Sequence, residues 1–212
     1  MKARFTLAEI QQHALAIVDR EGLAGLTMRS LAASLHTGPM TLYNYVKGRE
    51  ALEELVVDAV AARVDTPALT DDWAADTRAA AGALWRTVRA HPAAVPLVLT
   101  RRTSSATGLA PAEALASALT RSGLADADLL AAFRAVMAFV MGLAQAEVAG
   151  PLAPEGAAAA EAERIGALTE GTLPALSRLS SVSAAHAHEE FDRGLALVLA
   201  GIQQAAEARV GT

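Results

Sequence analysis

The chain of 212 residues contains no cysteine. That excludes disulfides, thiolate metal sites and cysteine nucleophiles. Long apolar runs are also missing. The longest, Ala135 to Ala144, sits between Arg134 and Gln145 and falls short of the roughly 20 residues a helix needs to cross a bilayer. The basic N-terminus, Met1-Lys2-Ala3-Arg4-Phe5-Thr6, is followed by no apolar signal core, so no membrane association is expected and the location expected is the cytoplasm. Strand-type alternation is absent. No nucleophile elbow, zinc motif, phosphate loop or catalytic carboxylate pair appears, so nothing points to an enzyme and no cofactor is expected.

What is present is apolar and ordered. Hydrophobic residues make up 53% and charged residues 19%, enough for a sizeable core and too apolar for global disorder. Much of the apolar share is alanine, which favours helix and close helix approach. The formal charge of −5 is unevenly spread. Residues 1–50 carry six Lys/Arg against four Asp/Glu; residues 51–212 carry twelve against nineteen. A small basic head on an acidic body follows.

Helical periodicity runs nearly end to end. Thr6 and Glu9 form a capping box, and Leu7, Ile10, Ala14, Ile17 and Val18 make one apolar stripe that Gly22 ends. Thr27 caps a short second helix facing inward through Met28, Leu31, Ala32 and Leu35. After a break at His36-Thr37-Gly38, Pro39 opens a third helix to Tyr45, with Leu42 and Val46 inward. A fourth, from Ala51 to Val64, buries Leu52, Leu55, Val56, Ala59 and Val60 and bridges to the rest, with Pro67 beyond its end. Further helices are expected over about 72–90, a short run to Arg101, about 111–122, about 126–148 capped by Asp126, and about 187–209. The stretch Thr103–Gly108 reads as loop, 156–168 as a weak segment, and 171–185 as irregular. The fold expected is therefore all-α, with about nine or ten helices.

Two short helices joined by a tight turn are the sequence image of a helix-turn-helix. Ala32 is small where the helices cross, and Leu31, Leu35 and Leu42 supply the shared core. The outward face of the third helix then holds Met40, Thr41, Tyr43 and Asn44. Asn suits adenine, Thr or Met can touch a thymine methyl, and the Tyr hydroxyl can donate to a phosphate. Taken singly, Arg29, Lys47 and Arg49 read better as ordinary solvated surface charges, and Met40 and Tyr43 can be read as core of a plain bundle.

The joint pattern is more specific. The stretch Leu26-Thr27-Met28-Arg29-Ser30-Leu31-Ala32, followed by Pro39-Met40-Thr41-Leu42-Tyr43-Asn44-Tyr45-Val46-Lys47-Gly48-Arg49-Glu50-Ala51-Leu52, resembles the DNA-binding head of the tetracycline-repressor (TetR) family. The motif covers about the first 60 residues; beyond it, length and helix order resemble the family's body. The resemblance implies a helix-turn-helix domain at residues 1–50, a bridging helix at 51–64, and a ligand-binding and dimerisation domain at 65–212. It places Thr27, Arg29, Pro39, Met40, Thr41, Tyr43, Asn44, Lys47 and Arg49 at DNA. Arg29 is suited to guanine by its fork; Tyr43, Lys47 and Arg49 match phosphate positions. Three departures lie in the turn: His36 stands where many members have Gly at a left-handed position, Thr37 where they have a small apolar residue, and Gly38 where they have a Ser/Thr cap.

One short reading helix gives too few contacts alone, so a homodimer on a near-palindromic operator of double-stranded DNA is expected, joined through the long helix at 126–148 and the last helix. The resemblance also implies an inducer pocket in the body, for which Trp85, His91, Leu99, Arg101, Phe133, Met137, Val140, Met141 and Gln145 are the candidates; a mostly apolar lining suits a small hydrophobic molecule. His186-Ala187-His188-Glu189-Glu190 invites a metal reading, but i, i+2 spacing puts the histidines on different sides of a helix, and no metal site is expected. The function implied is a ligand-responsive transcriptional regulator, a repressor released by its ligand. An activator of the same fold, or a helical carrier without DNA, are the alternatives.

Overall fold

The computed structural model describes residues 5–66, 68–101, 105–149, 157–186 and 189–210. The described residues form helices α1 (Leu7–Gly25), α2 (Met28–Ser34), α3 (Pro39–Leu42), α4 (Gly48–Ala61), α5 (Trp73–Ala90), α6 (Val95–Thr100), α7 (Ala106–Thr120), α8 (Asp126–Ala149), α9 (Ala157–Thr169), α10 (Pro174–His186) and α11 (Glu190–Val210), with a 3-10 turn at Pro92–Ala94 and no strand. The all-α expectation holds, with eleven α-helices among the described residues where nine or ten were expected. Contacts divide the chain into two compact units, Met1–Ala118 and Leu119–Thr212. The first unit thus groups α5, α6 and most of α7 with the head, whereas the sequence pattern draws its boundary in the connection between α4 and α5.

In the first unit, local chemistry sets the helix ends. Thr6 Oγ1 accepts from the Glu9 amide at 3.2 Å and the Glu9 carboxylate accepts from the Thr6 amide at 2.7 Å. These bonds hold the Glu9 carboxyl below its usual range. At Gly22 (φ 69, ψ −178) the helical path of α1 breaks before a last turn. Ile10, Ala14, Leu15, Ile17 and Val18 of α1 pack with Leu31, Leu42, Val46, Leu52 and Val56 in a core that also takes in Ala94 and Leu97. Burying a side chain of this size contributes about 1.5–3 kcal/mol. Asp72 caps α5 by accepting from the amides of Ala74 and Ala75, both at 2.9 Å. Buried Asp76 accepts from the Thr70 amide and hydroxyl, at 2.7 and 2.9 Å.

In the second unit, α8 packs on α11 and α9 on α10. The rings of Phe139 and Phe191 lie 5.8 Å apart, and Gly194 lets α11 approach Phe139. Val136, Val140 and Ala144 are the buried stripe of α8, and Phe191, Leu195, Leu199 and Ile202 that of α11.

Several boundaries differ from the sequence pattern. α3 ends at Leu42, because the amides of Tyr45 and Val46 both turn back to the Leu42 carbonyl. α7 begins at Ala106 and carries Pro111 inside it, so part of the expected loop is helix; residues 103 and 104 lie outside the described residues. Asp126 is the first residue of α8 rather than its cap, as Leu129 donates to the Ala125 carbonyl. The stretch expected to be irregular is α10, with Pro174 at its first position, where proline starts a helix rather than breaking one. The 156–168 segment is largely α9. α8 also corrects the expectation from apolar runs: Asp126–Glu147 is long and apolar enough to span a bilayer by length and composition, a property hidden by counting only uninterrupted runs. Pro67, Gly150–Pro154 and His188 lie outside the described residues.

Candidate nucleic-acid interface

α2 and α3 owe their relative placement to one turn. The Thr37 amide donates to the Ala32 carbonyl at 2.9 Å and the His36 amide to the Ala33 carbonyl at 3.1 Å, the paired bonds of a Schellman end. That end needs a left-handed residue, and His36 supplies it with φ 52. It is the sole non-glycine at positive φ among the described residues. The resemblance had flagged this position, and the structure gives its conformation. The Thr37 hydroxyl oxygen is buried without a hydrogen-bond partner. Thr37 therefore carries a cost that the small apolar residue usual in the family avoids.

The start of α2 is held by a second box. Thr27 Oγ1 accepts from the Ser30 amide at 3.0 Å, the Thr27 amide donates to Ser30 Oγ at 2.9 Å, and Ser30 Oγ donates to the Gly25 carbonyl at 2.6 Å. Thr27 and Arg29 are exposed there. Pro39 is at the first position of α3 and exposed. Met40 is 78% exposed and Tyr43 48%, which removes the reading of either as core. Thr41 is half-buried; Asn44 and Lys47 are exposed. Met40, Thr41, Tyr43 and Asn44 are carried on α3 and the turn after it, over buried Leu42 and Val46.

The cations of the head fall into two classes. Arg29 and Lys47 are exposed and make no hydrogen bond or ion pair among the described residues. Arg49 is engaged: Nε donates to Glu53 Oε1 at 2.6 Å, Nη1 to the Leu26 carbonyl at 2.5 Å, and Nη2 to the Leu23 carbonyl at 3.0 Å. It thereby caps the carbonyl end of α1, where a cation is favoured. Glu53 is nearly buried, and its other oxygen accepts from Arg101 Nε and Nη2, at 2.8 and 2.7 Å. Arg101 Nη1 reaches Glu50 at 3.0 Å. The Arg49 bond is the largest cause holding the Glu53 carboxyl below its usual range, with Arg101 adding to it against the opposing effect of burial. A buried Gln11–Asp58 bond, 3.3 Å, also ties α1 to α4.

The residues expected around a ligand fall in both units. In the first, Trp85 is half-buried with the Arg89 guanidinium 4.6 Å from its ring, and Leu99 is exposed. His91 Nδ1 lies 2.9 Å from an Asp19 carboxylate oxygen, so its polar edge serves α1. The Arg101 guanidinium is likewise taken by Glu50 and Glu53. Both side chains thus have partners within the first unit. In the second unit, Val140 is buried and Phe133, Met137, Met141 and Gln145 are half-buried on α8. Glu50 and Glu53 escaped the sequence reading; the i, i+4 spacing of Arg49 and Glu53 was the available signal.

Two short helices, α2 closed at its start by Thr27 and Ser30 and α3 opened by Pro39, with exposed polar side chains on them and in the turn that follows, have the arrangement of a helix-turn-helix DNA-binding protein. Comparison with known proteins agrees. Residues 66–206 match the family model described as "Tetracyclin repressor-like, C-terminal domain". The chain is 29% identical over 220 residues to the HTH-type transcriptional repressor DrrR1 of Streptomyces coeruleorubidus, covering 99% of this chain and 82% of that protein. It is 32% identical over 203 residues to an HTH-type transcriptional regulator of Saccharopolyspora erythraea, covering 95% and 86%. The crystal structure of apo ActR from Streptomyces coelicolor superposes with a TM-score of 0.82 at 27% identity, covering 99% of this chain and 100% of that one; ActR has also been solved in complex with actinorhodin. The chain belongs to the tetracycline-repressor family and is a DNA-binding transcriptional regulator.

Proposed function

We propose that the protein is a cytoplasmic homodimeric repressor that occupies a near-palindromic operator and leaves it on binding a small hydrophobic or aromatic molecule. The observation that carries the DNA reading is the division among the cations. Arg29 on α2 and Lys47 after α3 stand exposed and unpaired among the described residues, while Arg49 is held by Glu53 and two carbonyls. Unpaired cations in those places are what phosphates and a guanine edge require. Pro39, Met40, Thr41 and Asn44 then read the groove together with Thr27 and Arg29, Tyr43 and Lys47 meet phosphates, and Arg49, with all three guanidinium nitrogens engaged, holds the α1–α2 junction. The relatives support repression and ligand response: DrrR1 is named a repressor, and ActR holds actinorhodin in one of its crystal structures.

The uncovered faces of α8 and α11 support dimerisation through these two helices. Leu197 is 77% exposed and Leu130 48%, and exposed Ala135, Ala138, Gly142 and Gly201 leave room for close helix approach. The functional division is a reading head at 1–50, the bridging helix, and a ligand-responsive body from 65 onward that does no chemistry. Ligand and operator oppose one another by a single coupling free energy acting in both directions. Anisotropy titration of the DNA upstream of the protein's own gene tests the reading. A specific complex at moderate salt is expected; binding no tighter than to unrelated duplex overturns it.

A further inference from the structure

We propose that Arg101 is a positioning residue for DNA reading, fixing from the end of α6 the α1–α2 junction that carries Thr27 and Arg29, by way of Glu53 and Arg49. The inference rests on the regulator reading above and adds to it a residue that itself touches no DNA. The links form an unbroken series. Arg101 Nη2 lies 2.7 Å from Glu53 Oε2, Glu53 Oε1 2.6 Å from Arg49 Nε, and Arg49 Nη1 and Nη2 2.5 and 3.0 Å from the carbonyls of Leu26 and Leu23. Leu26 directly precedes Thr27, the cap of α2. Residues 75 positions apart, read from their numbers, are joined by three side chains.

Glu53 makes the series stiff. Its side chain is only 9% exposed, and a carboxylate so far removed from water depends on both guanidiniums. Each oxygen has its own Arg, so neither can leave without exposing Glu53 to an unbalanced environment. Nε, Nη1 and Nη2 of Arg49 are each engaged, and it takes up a new position if Glu53 moves. Directional bonds of this kind tolerate less displacement than apolar contacts. Glu50, 76% exposed, holds only the outer edge of Arg101 and adds little.

The relay predicts a distinct binding signature. Losing Arg101 removes no phosphate contact, yet it loosens the placement of Arg29 and Thr27. Specific affinity falls while non-specific affinity and salt dependence stay.

The test is anisotropy with the upstream duplex selected by the wild-type protein and with an unrelated duplex, across a salt series, alongside thermal melts. Arg101→Met weakens the selected duplex about fivefold or more and leaves the unrelated duplex and the salt slope unchanged. Arg101→Lys, which keeps charge but not the fork, gives a smaller loss in the same direction and carries the test if Arg101→Met does not fold. Adding Glu53→Gln to Arg101→Met gives less than the product of the single losses. Specific affinity within about twofold of wild type in both Arg101 variants overturns the proposal. So do equal losses on both duplexes with a shallower salt slope, which would make Arg101 a phosphate contact, and losses that merely track the melting temperature. A wild-type protein that selects no duplex overturns the regulator reading and the relay with it; a selective wild type with indifferent Arg101 variants overturns the relay alone.

Discussion

Glu53 stands between two guanidiniums that come from different helix ends: Arg49 bonds one carboxylate oxygen at 2.6 Å and Arg101 the other at 2.7 Å. The arrangement makes part of the protein's stability depend on pH. The carboxyl is held below its ordinary value of 4.5, so its contribution is present above that value and is lost as pH falls through the lower folded one. Acid melts of wild type and Glu53→Gln check this. Wild type is the more stable near neutral pH, by about 1–2 kcal/mol because both Arg partners keep some solvent. The gap closes as the solution is acidified below the ordinary carboxylate range. A gap that persists at low pH contradicts it.

The turn of the helix-turn-helix holds two residues that work against its stability. His36 sits at φ 52 and the Thr37 hydroxyl is buried without a partner. His36→Gly is expected to stabilise by about 0.5–1 kcal/mol, since the strain relieved exceeds the chain entropy added. Thr37→Val, which removes the orphaned hydroxyl at similar volume, gains about 1 kcal/mol. Denaturant melts measure both, and loss of stability in either variant would show the turn to be relaxed as it stands.

Arg29 and Lys47 are both exposed, and the roles proposed for them differ. Arg29→Ala relaxes base choice at one operator position at a cost of about 1–3 kcal/mol there. Lys47→Ala weakens all duplexes alike and lowers the salt slope by about one. Titrations against a panel of single-base operator variants separate the two. Equal, sequence-independent losses contradict the role given to Arg29.

Legibility in the sequence followed the range of the interactions. Thr6 with Glu9, Thr27, and Pro39 each mark a helix start within a few residues, and each lies where the structure begins a helix. Leu31, Ala32 and Leu42 were readable as core for the same reason. α10 was not: Leu173, Leu176, Leu179 and Val182 step by three and so drift around the helix, and the serines between them suggest a loop. Pro111 reads as a beginning although it lies in the second turn of α7. The bond from Arg101 to Glu53 spans 48 residues, so no local pattern announces it.

The second unit relies on one close approach. A Cβ on Gly194 would lie 2.5 Å from Phe139 Cε2. Gly194→Ala is expected to destabilise by about 1–3 kcal/mol, and Phe139→Leu in the same chain restores part of it. Leu197→Arg acts otherwise. At 77% exposure it leaves the fold of each chain intact and breaks the association proposed for α11. Sedimentation then gives a monomer that has lost specific DNA binding. A dimer of undiminished affinity would place the interface elsewhere.

In the proposed dimer, α2 and α3 read DNA twice, in successive turns of the same groove. Hydroxyl-radical footprinting of the upstream DNA tests it most directly. Two symmetric protected patches are expected, with centres about 10 base pairs apart, or a whole multiple of that, on one face of the duplex. A single patch, or protection with no preferred position at moderate salt, would contradict it.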